Sequence, residues 1–557
     1  MPERRTHLAA AAEWITSFRL EDAPADVVTL ATQQVANIVA AILAGSRSAA
    51  GQRVRRASLR TATGGPCTLI PHGDQVSLWD ALYLHSCYAN ALELDDFHYR
   101  GHVGIAVVTA PLALAEALGR DGRALLEAQI VASEVAGRVG WVITAELRHG
   151  HQRSYLLRLA AAAAAARLLG LDRSSTTSAL AISMTQPEVP LHPGMYSPDT
   201  KVLSAATSVV EGVRAAYLAA EGVTAARDIL EHPAGFYRQF TLQRRVPNPF
   251  VQFGEAWCMH ALCFKRYSAC GYAAGAVDAA CEVHRNPGFD SQAIVRIEVA
   301  TTYPALVLDH LAEPHEAGVL TPSNVQFSIV RCVAAALHLG DLRGYHFAAG
   351  AFDRLVPVVS RLAAVSTLVH DWGFTVAQLD GIDDGLSRGG GRESADMIEF
   401  HRTARAFRSM FGSARAIGAK DILRLLRLPA DQRASFARRW WRSLSSRFET
   451  SPAIVPGDYR PLGDLRQMRW RMCGRVTVDQ SDGTRLVAEQ ILPSWMAGDP
   501  ARGEMVQEKL LAEGEPVIGR EAAQRVWQAI ASLPETARVR IATLAACGVP
   551  AGEDRPA

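Results

Sequence analysis

With 557 residues, 49% of them hydrophobic and 20% charged, the chain reads as a folded globular protein too long for one small core, and about two to four domains are expected. A formal net charge of +2 gives no global reason for a nucleic-acid or membrane partner, and neither is expected. The nine cysteines (67, 87, 258, 263, 270, 281, 332, 473, 547) form no C-x-x-C pair and no zinc-like spacing, a usage that suits a reducing cytoplasm.

The N-terminus places Arg4 and Arg5 before an alanine-rich stretch, but Glu13 and Arg19 interrupt it, so it reads as helix and not as a secretory signal. Residues 1 to about 260 then read as helix after helix. Ala25 to Leu43 starts at Asp22-Ala-Pro24 and is expected to stop at Gly45. Val76 to Leu92 has apolar residues three and four apart; Leu112 to Leu118 ends at Gly119, and Ala124 to Val139 ends at Gly140. Leu156 to Leu169 is alanine-rich, and its most apolar run, Leu159 to Ala166, is far shorter than the roughly 20 residues of a membrane span. Ser174 to Ser183 and Ala205 to Glu221 continue the pattern. Small side chains in such density imply close helix–helix approach.

From about 261 the texture changes. Ala293 to Tyr303 is β-branched and partly alternating, a strand; Ser328 to Leu339 is a helix closed by Gly340; Arg475 to Ala488 reads as a hairpin turning at Ser481-Asp-Gly483. Between about 367 and 470 neither pattern holds. Gly389, Gly390 and Gly391 look like a joint, and Met397 to Arg447 is arginine-rich, including Arg438, Arg439, Trp440, Trp441 and Arg442. Such interleaving can bind nucleic acid, but an amphipathic helix pair with a basic face or a subunit contact is the more frequent outcome. Arg502 to Leu544 returns to helix. The fold class expected is mainly α: a large all-α domain over 1–260, an α+β domain over 261–500 carrying the Arg-rich stretch at about 367–470, and C-terminal helices over 501–557 that rejoin the helical domain.

The stretch from Asn90 to Gly104 packs Glu93, Asp95, Asp96, His98, Arg100 and His102 into ten positions at the end of a helix. Two histidines beside carboxylates suit proton transfer near neutral pH, because imidazole titrates there and a carboxylate can fix its tautomer. The plain alternative is a capped helix end with solvated charges. No G-x-G-x-x-G, Walker loop or nucleophile elbow offers a competing chemistry.

Four places line up with one family. Glu93-Leu-Asp-Asp-Phe-His-Tyr-Arg-Gly-His102 resembles the D-x-D-D-T segment, with a histidine a few residues on, of the MmgE/PrpD family, that of 2-methylcitrate dehydratase and cis-aconitate decarboxylase. His149-Gly-His151, followed by the alanine-rich helix and Arg167-Leu-Leu-Gly-Leu171, resembles the family's next histidine and helix, with His151 in the histidine position. Thr200-Lys201, Ala205-Ala206 and Glu211 to Gly222 are similar to its lysine and G-V-x-A-A helix, and Phe264-Lys265-Arg266-Tyr267-Ser-Ala-Cys270 to its K-x-Y-P-x-C segment.

The resemblance implies a large all-α domain with a smaller α+β lid domain, 367–470 being an insertion relative to the family, and a cofactor-independent, metal-free lyase acting on a small carboxylate-bearing molecule, usually as a homodimer. It implies a catalytic set of His102, His151, Lys201 and Glu93, and substrate contacts from Lys265, Asp96, Phe97, Arg158 and Cys270. Departures from the pattern are specific: Glu93 stands for the first aspartate, Phe97 for the threonine, one residue is missing before His102, and Leu157-Arg158 replace a Gly-Thr. Such changes alter a citrate-sized polar pocket. Three functions remain open: a divergent dehydratase or decarboxylase; a member recruited to secondary metabolism as a dehydratase or cyclase of a larger, polyketide-like substrate; and a non-catalytic homologue acting as an interaction protein.

Overall fold

The computed structural model describes residues 6–98, 101–142, 154–241, 245–314, 316, 318–385, 423–445, 453–454 and 462–545. The chain is mainly α-helical. Helix Ala25–Ser46 is its axis, and every residue from 34 to 46 is buried. Its length and composition would allow it to cross a membrane, but most of its surface lies inside the protein. Leu78–Ala91, Gly104–Leu118 and Gly122–Val142 pack against it, Ser154–Leu169 and Ala206–Ala220 pack on those helices and on each other, and all share one apolar core.

Local chemistry sets the helix ends. Ser77 caps Leu78–Ala91 by accepting from the Asp80 N–H, and Asp172 does the same for Arg173–Thr185 through Ser175. Gly119 (φ 64°) and Gly340 (φ 74°) end their helices in the left-handed conformation that glycine adopts without a Cβ clash. Two glycines behave otherwise. Gly45 and Gly140 lie inside helices that the sequence pattern ends at those points. A Cβ on Gly45 would meet the Tyr88 carbonyl oxygen at 1.9 Å, so this glycine is a contact point between two helices and not a stop. Likewise a Cβ on Gly212 would lie 2.3 Å from the Arg158 carbonyl oxygen, where the alanine-rich helix meets Ala206–Ala220. The alanines from 160 to 166 are all buried, as close axial approach requires.

The second part is built on a four-stranded sheet in the order Arg485–Gln490, Gly474–Gln480, Ile294–Thr301, Ser366–His370. The first two junctions are antiparallel and the last is parallel. Ile297, Val299, Val476, Val478 and Ala488 point to one face and pack against helices Ala274–His284, Ile329–Leu339 and Ala351–Ala364. That core also takes in Ala41, Ala44, Cys87, Leu92, Leu94 and Val202, so the helical body and the sheet part meet across a continuous apolar seam.

Regular structure persists beyond the expected break near 367. Strand Ser366–His370 and helix Trp372–Asp383 belong to the sheet part. Gly389 to Gly391 and much of the arginine-rich stretch fall outside the described residues. Within it, Ala430–Ser445 is helical; Phe436 packs edge-on against Trp372 at 5.6 Å, and the Ser435 hydroxyl donates to Asp380 at 2.6 Å. Helices Met505–Ile518 and Arg520–Ala531 place Val506, Leu510, Val526 and Ile530 in the core of the N-terminal helices. The N-terminal part is not purely helical. Cys67–Thr68 pairs with Gln75–Val76, and Asp96–Phe97 pairs antiparallel with Cys263–Phe264.

Candidate active site

That second ladder, two residues long on each side, builds the site. After helix Leu78–Ala91 the chain turns at Glu93, whose φ of 53° is left-handed, a conformation that costs a non-glycine residue free energy and persists only where its surroundings hold it. The chain then runs extended, Asp96 pairs with Phe264, and the Lys265 N–H donates to the Asp95 carbonyl at 3.3 Å. Side chains of adjacent residues in an extended segment point to opposite faces. Asp95 therefore faces Lys265, while Asp96 faces the helical core.

The result is a string of alternating charges. The Lys201 ammonium donates to Glu93 Oε1 at 2.7 Å; the Lys265 ammonium donates to Glu93 Oε2 at 2.5 Å and to Asp95 Oδ1 at 2.8 Å. Asp95 Oδ2 lies 2.8 Å from His102 Nδ1. The Lys201 ammonium also donates to the Asn90 carbonyl, and Asn90 returns an N–H to the Lys201 carbonyl at 2.8 Å. The side chains of Lys201, Lys265, Glu93 and Asp95 are at most 5% exposed, whereas that of His102 is 12% exposed. His102 is thus the end of the string nearest solvent.

Burial opposes charge on Glu93, Asp95 and Lys265, but their partners outweigh it. The Lys201 and Lys265 ammonium groups hold Glu93 down to about 2. Lys265 and His102 hold Asp95 well below the usual carboxylate range, and both carboxylates raise Lys265. Glu93, Asp95 and Lys265 are therefore ionised at neutral pH.

The structure sorts the sequence candidates. Lys201, Glu93, Lys265 and His102 converge. Asp96 does not join them: it accepts from Gln34 Nε2 at 2.8 Å and Asn37 Nδ2 at 3.1 Å, and burial pushes it up to about 7. It organises the floor beneath the site and is not placed to contact substrate. Arg158 also lies apart, donating to the Gln186 carbonyl at 2.9 Å with Glu211 at 3.9 Å, and Leu157 is core. Cys270 is buried with Met195, Tyr196 and Phe327, and burial, with the nearby Glu93 charge, pushes its thiol up to about 12, so it is no thiolate. Phe97 lies 5.6 Å from the His102 ring and 5.9 Å, edge-on, from Trp470. His151 lies outside the described residues. Of the two histidines in the opening stretch, His98 is a core residue: it meets the Ser133 hydroxyl at 3.0 Å, and burial lowers it to about 4.

Asn37, Asn90 and Lys509 are site-building residues that sequence reasoning passed over. Lys509 gives a readable signal: with Val506, Leu510 and Glu513 it falls on the buried stripe of its helix, where a lysine needs partners.

The model of the MmgE/PrpD N-terminal domain matches residues 9–247. Cis-aconitate decarboxylase of Aspergillus terreus is 26% identical over 283 residues, 48% of this chain and 58% of that protein. Cis-aconitate decarboxylase-like protein oryM of Aspergillus oryzae is 27% identical over 385 residues, 65% of this chain and 79% of that protein. Human cis-aconitate decarboxylase is 31% identical over 164 residues, 28% of this chain and 34% of that protein. The chain thus spans a little over half the length of the Aspergillus terreus relative. That match over residues 9–247, the relatives and the ordered motifs around Glu93, Lys201 and Lys265 together support a divergent member of the MmgE/PrpD family.

Proposed function

We propose that the chain is a lyase that removes carbon dioxide or water from a carboxylate-bearing small molecule by proton transfer through His102. The string Lys201–Glu93–Lys265–Asp95–His102 carries this reading. Asp95 holds the His102 ring by Nδ1 and so fixes the tautomer and the orientation in which Nε2 would take a proton from carbon or give one to it. Asp95 also stabilises the imidazolium that forms. Lys265, two bonds further along, offsets the negative charge that develops when a carbanion forms beside a carboxylate. The relatives' names, which attach decarboxylation to cis-aconitate, support the bond type.

A second reading, a larger and less charged substrate such as one of secondary metabolism, is favoured by two observations. Glu93 and Asp95 already balance both ammonium groups, and Phe97 with Trp470 forms an aromatic wall beside His102. An apolar group standing there would be stabilised by the area it buries, which a citrate-like hydroxyl would not.

The test is to incubate the full chain in D2O with cis-aconitate, with citrate-like hydroxy acids, and with unsaturated or hydroxylated monocarboxylates bearing apolar substituents, following turnover and carbon-bound deuterium by proton NMR. His102→Ala is expected to lower the rate by about 10²-fold or more, with the thermal unfolding midpoint retained. An unchanged rate in His102→Ala overturns the acid–base role of His102, and no turnover of any of these substrates by the unmodified chain leaves the interaction-protein reading.

A further inference from the structure

We propose that Lys509 is a positioning residue for the Asp95–His102 pair, a buried tether that fixes the two backbone segments on which that pair depends. The proposal rests on the acid–base reading above and adds to it a residue from the far end of the chain.

An ammonium has three protons, and the Lys509 ammonium spends each on a different segment. It donates to Asn37 Oδ1 at 2.6 Å, to the Lys265 carbonyl at 2.8 Å, and to the Leu94 carbonyl. The Leu94 carbonyl belongs to the peptide that enters Asp95, and the Lys265 carbonyl to the peptide that leaves Lys265. Those residues' side chains meet at 2.8 Å, and Asp95 in turn holds His102. Asn37, the third acceptor, donates to Asp96 at 3.1 Å. One fully buried ammonium therefore grips the backbone on the near side of Asp95 and, through Asn37, the side chain on its far side.

The helix bearing Lys509 is itself fixed. Val506 and Leu510 lie in the main core, and one turn on Glu513 accepts from the Gly344 N–H at 2.9 Å. Burial lowers Lys509 to about 7, against the pull of Glu513 and the site carboxylates, so its charge is held at a cost in free energy. An apolar side chain would fill such a position without that cost. The ladder Asp96–Phe97/Cys263–Phe264 is too short to set the Asp95–Lys265 geometry by itself, and the ammonium supplies the missing restraint.

The readout is the low-field proton resonance of the His102 Nδ1–H bonded to Asp95, recorded on full-length chain labelled with 15N-histidine and assigned by its loss in His102→Gln. Lys509→Met, which keeps the stem and removes all three donors, is expected to abolish or shift that resonance. Val506→Ala, a core truncation on the same helix matched for its drop in thermal midpoint, is expected to keep it. Should Lys509→Met not accumulate as folded protein, Lys509→Gln, with one amide group for the two carbonyls, is expected to give a shifted resonance. A wild-type resonance in whichever Lys509 variant folds overturns the proposal. Equal loss in Val506→Ala also overturns it, because general loosening then suffices, as does absence of the resonance from the unmodified chain. If His102→Ala keeps full turnover the acid–base role of His102 fails, while the tether is still decided by the resonance.

Discussion

Glu93 carries two buried ammonium groups on one carboxylate, in a backbone conformation that L-residues adopt at a cost. Glu93→Gln leaves Lys201 and Lys265 with the Asp95 charge alone. Breaking a buried pair from one side costs about 3–5 kcal/mol, so a clear fall in the denaturant midpoint at unchanged m-value is expected. The acid limb carries the same signature. A carboxylate held at about 2 in the folded state contributes stability that is complete above its unfolded value and is lost as pH falls toward 2. Stability measured from pH 5 down to 2 should thus fall less steeply in Glu93→Gln than in the unmodified chain.

Asp96 has the opposite sign. Its folded value is raised to about 7, so between its ordinary value near 4 and pH 7 the folded state binds a proton that the unfolded state lacks, and stability falls as pH rises. Asp96→Asn should flatten that slope and be neutral or stabilising above pH 7, as urea unfolding across the range would show. The adjacent aspartates are alike in sequence and were separable only by face. Residue type and resemblance point to both, whereas the alternation of an extended segment, visible once Asp96 pairs with Phe264, sends one to the lysine and the other to the core.

Among the elements, the helices were the most legible, because apolar residues at helical spacing and capping side chains such as Ser77 and Asp172 are local signals. The glycines were not. Gly119 ends a helix and Gly45 does not, and nothing within a few residues distinguishes them; the difference is Tyr88, more than forty positions away. Gly45→Ala is expected to destabilise by about 1–3 kcal/mol through overpacking of two helix backbones, measurable as a lower thermal midpoint. Gly170→Ala is the contrasting case, with no atom within 4 Å of the added Cβ, so that its cost comes from the left-handed φ alone. The hairpin over Gly474–Gln480 and Arg485–Gln490 was readable from alternation and its Asp-Gly turn. The ladder Asp96–Phe97/Cys263–Phe264 was not, since two-residue strands carry no periodicity.

At the scale of the molecule, the change of texture near 261 marks a real difference in composition, yet the second apolar core takes residues from both sides of it. The site lies on that seam, and its parts come from residues 37, 93–102, 201, 265 and 509. Sequence could name several of these but not their convergence, which depends on packing between elements hundreds of positions apart. The wide separation also bears on biosynthesis. A ribosome adding about 5–20 residues each second releases the histidine end of the string tens of seconds before the C-terminal tether emerges. Throughout that interval the residues of the string stand without the buried ammonium proposed to hold them, and a chain truncated before Met505 is expected to carry every one of them without that restraint.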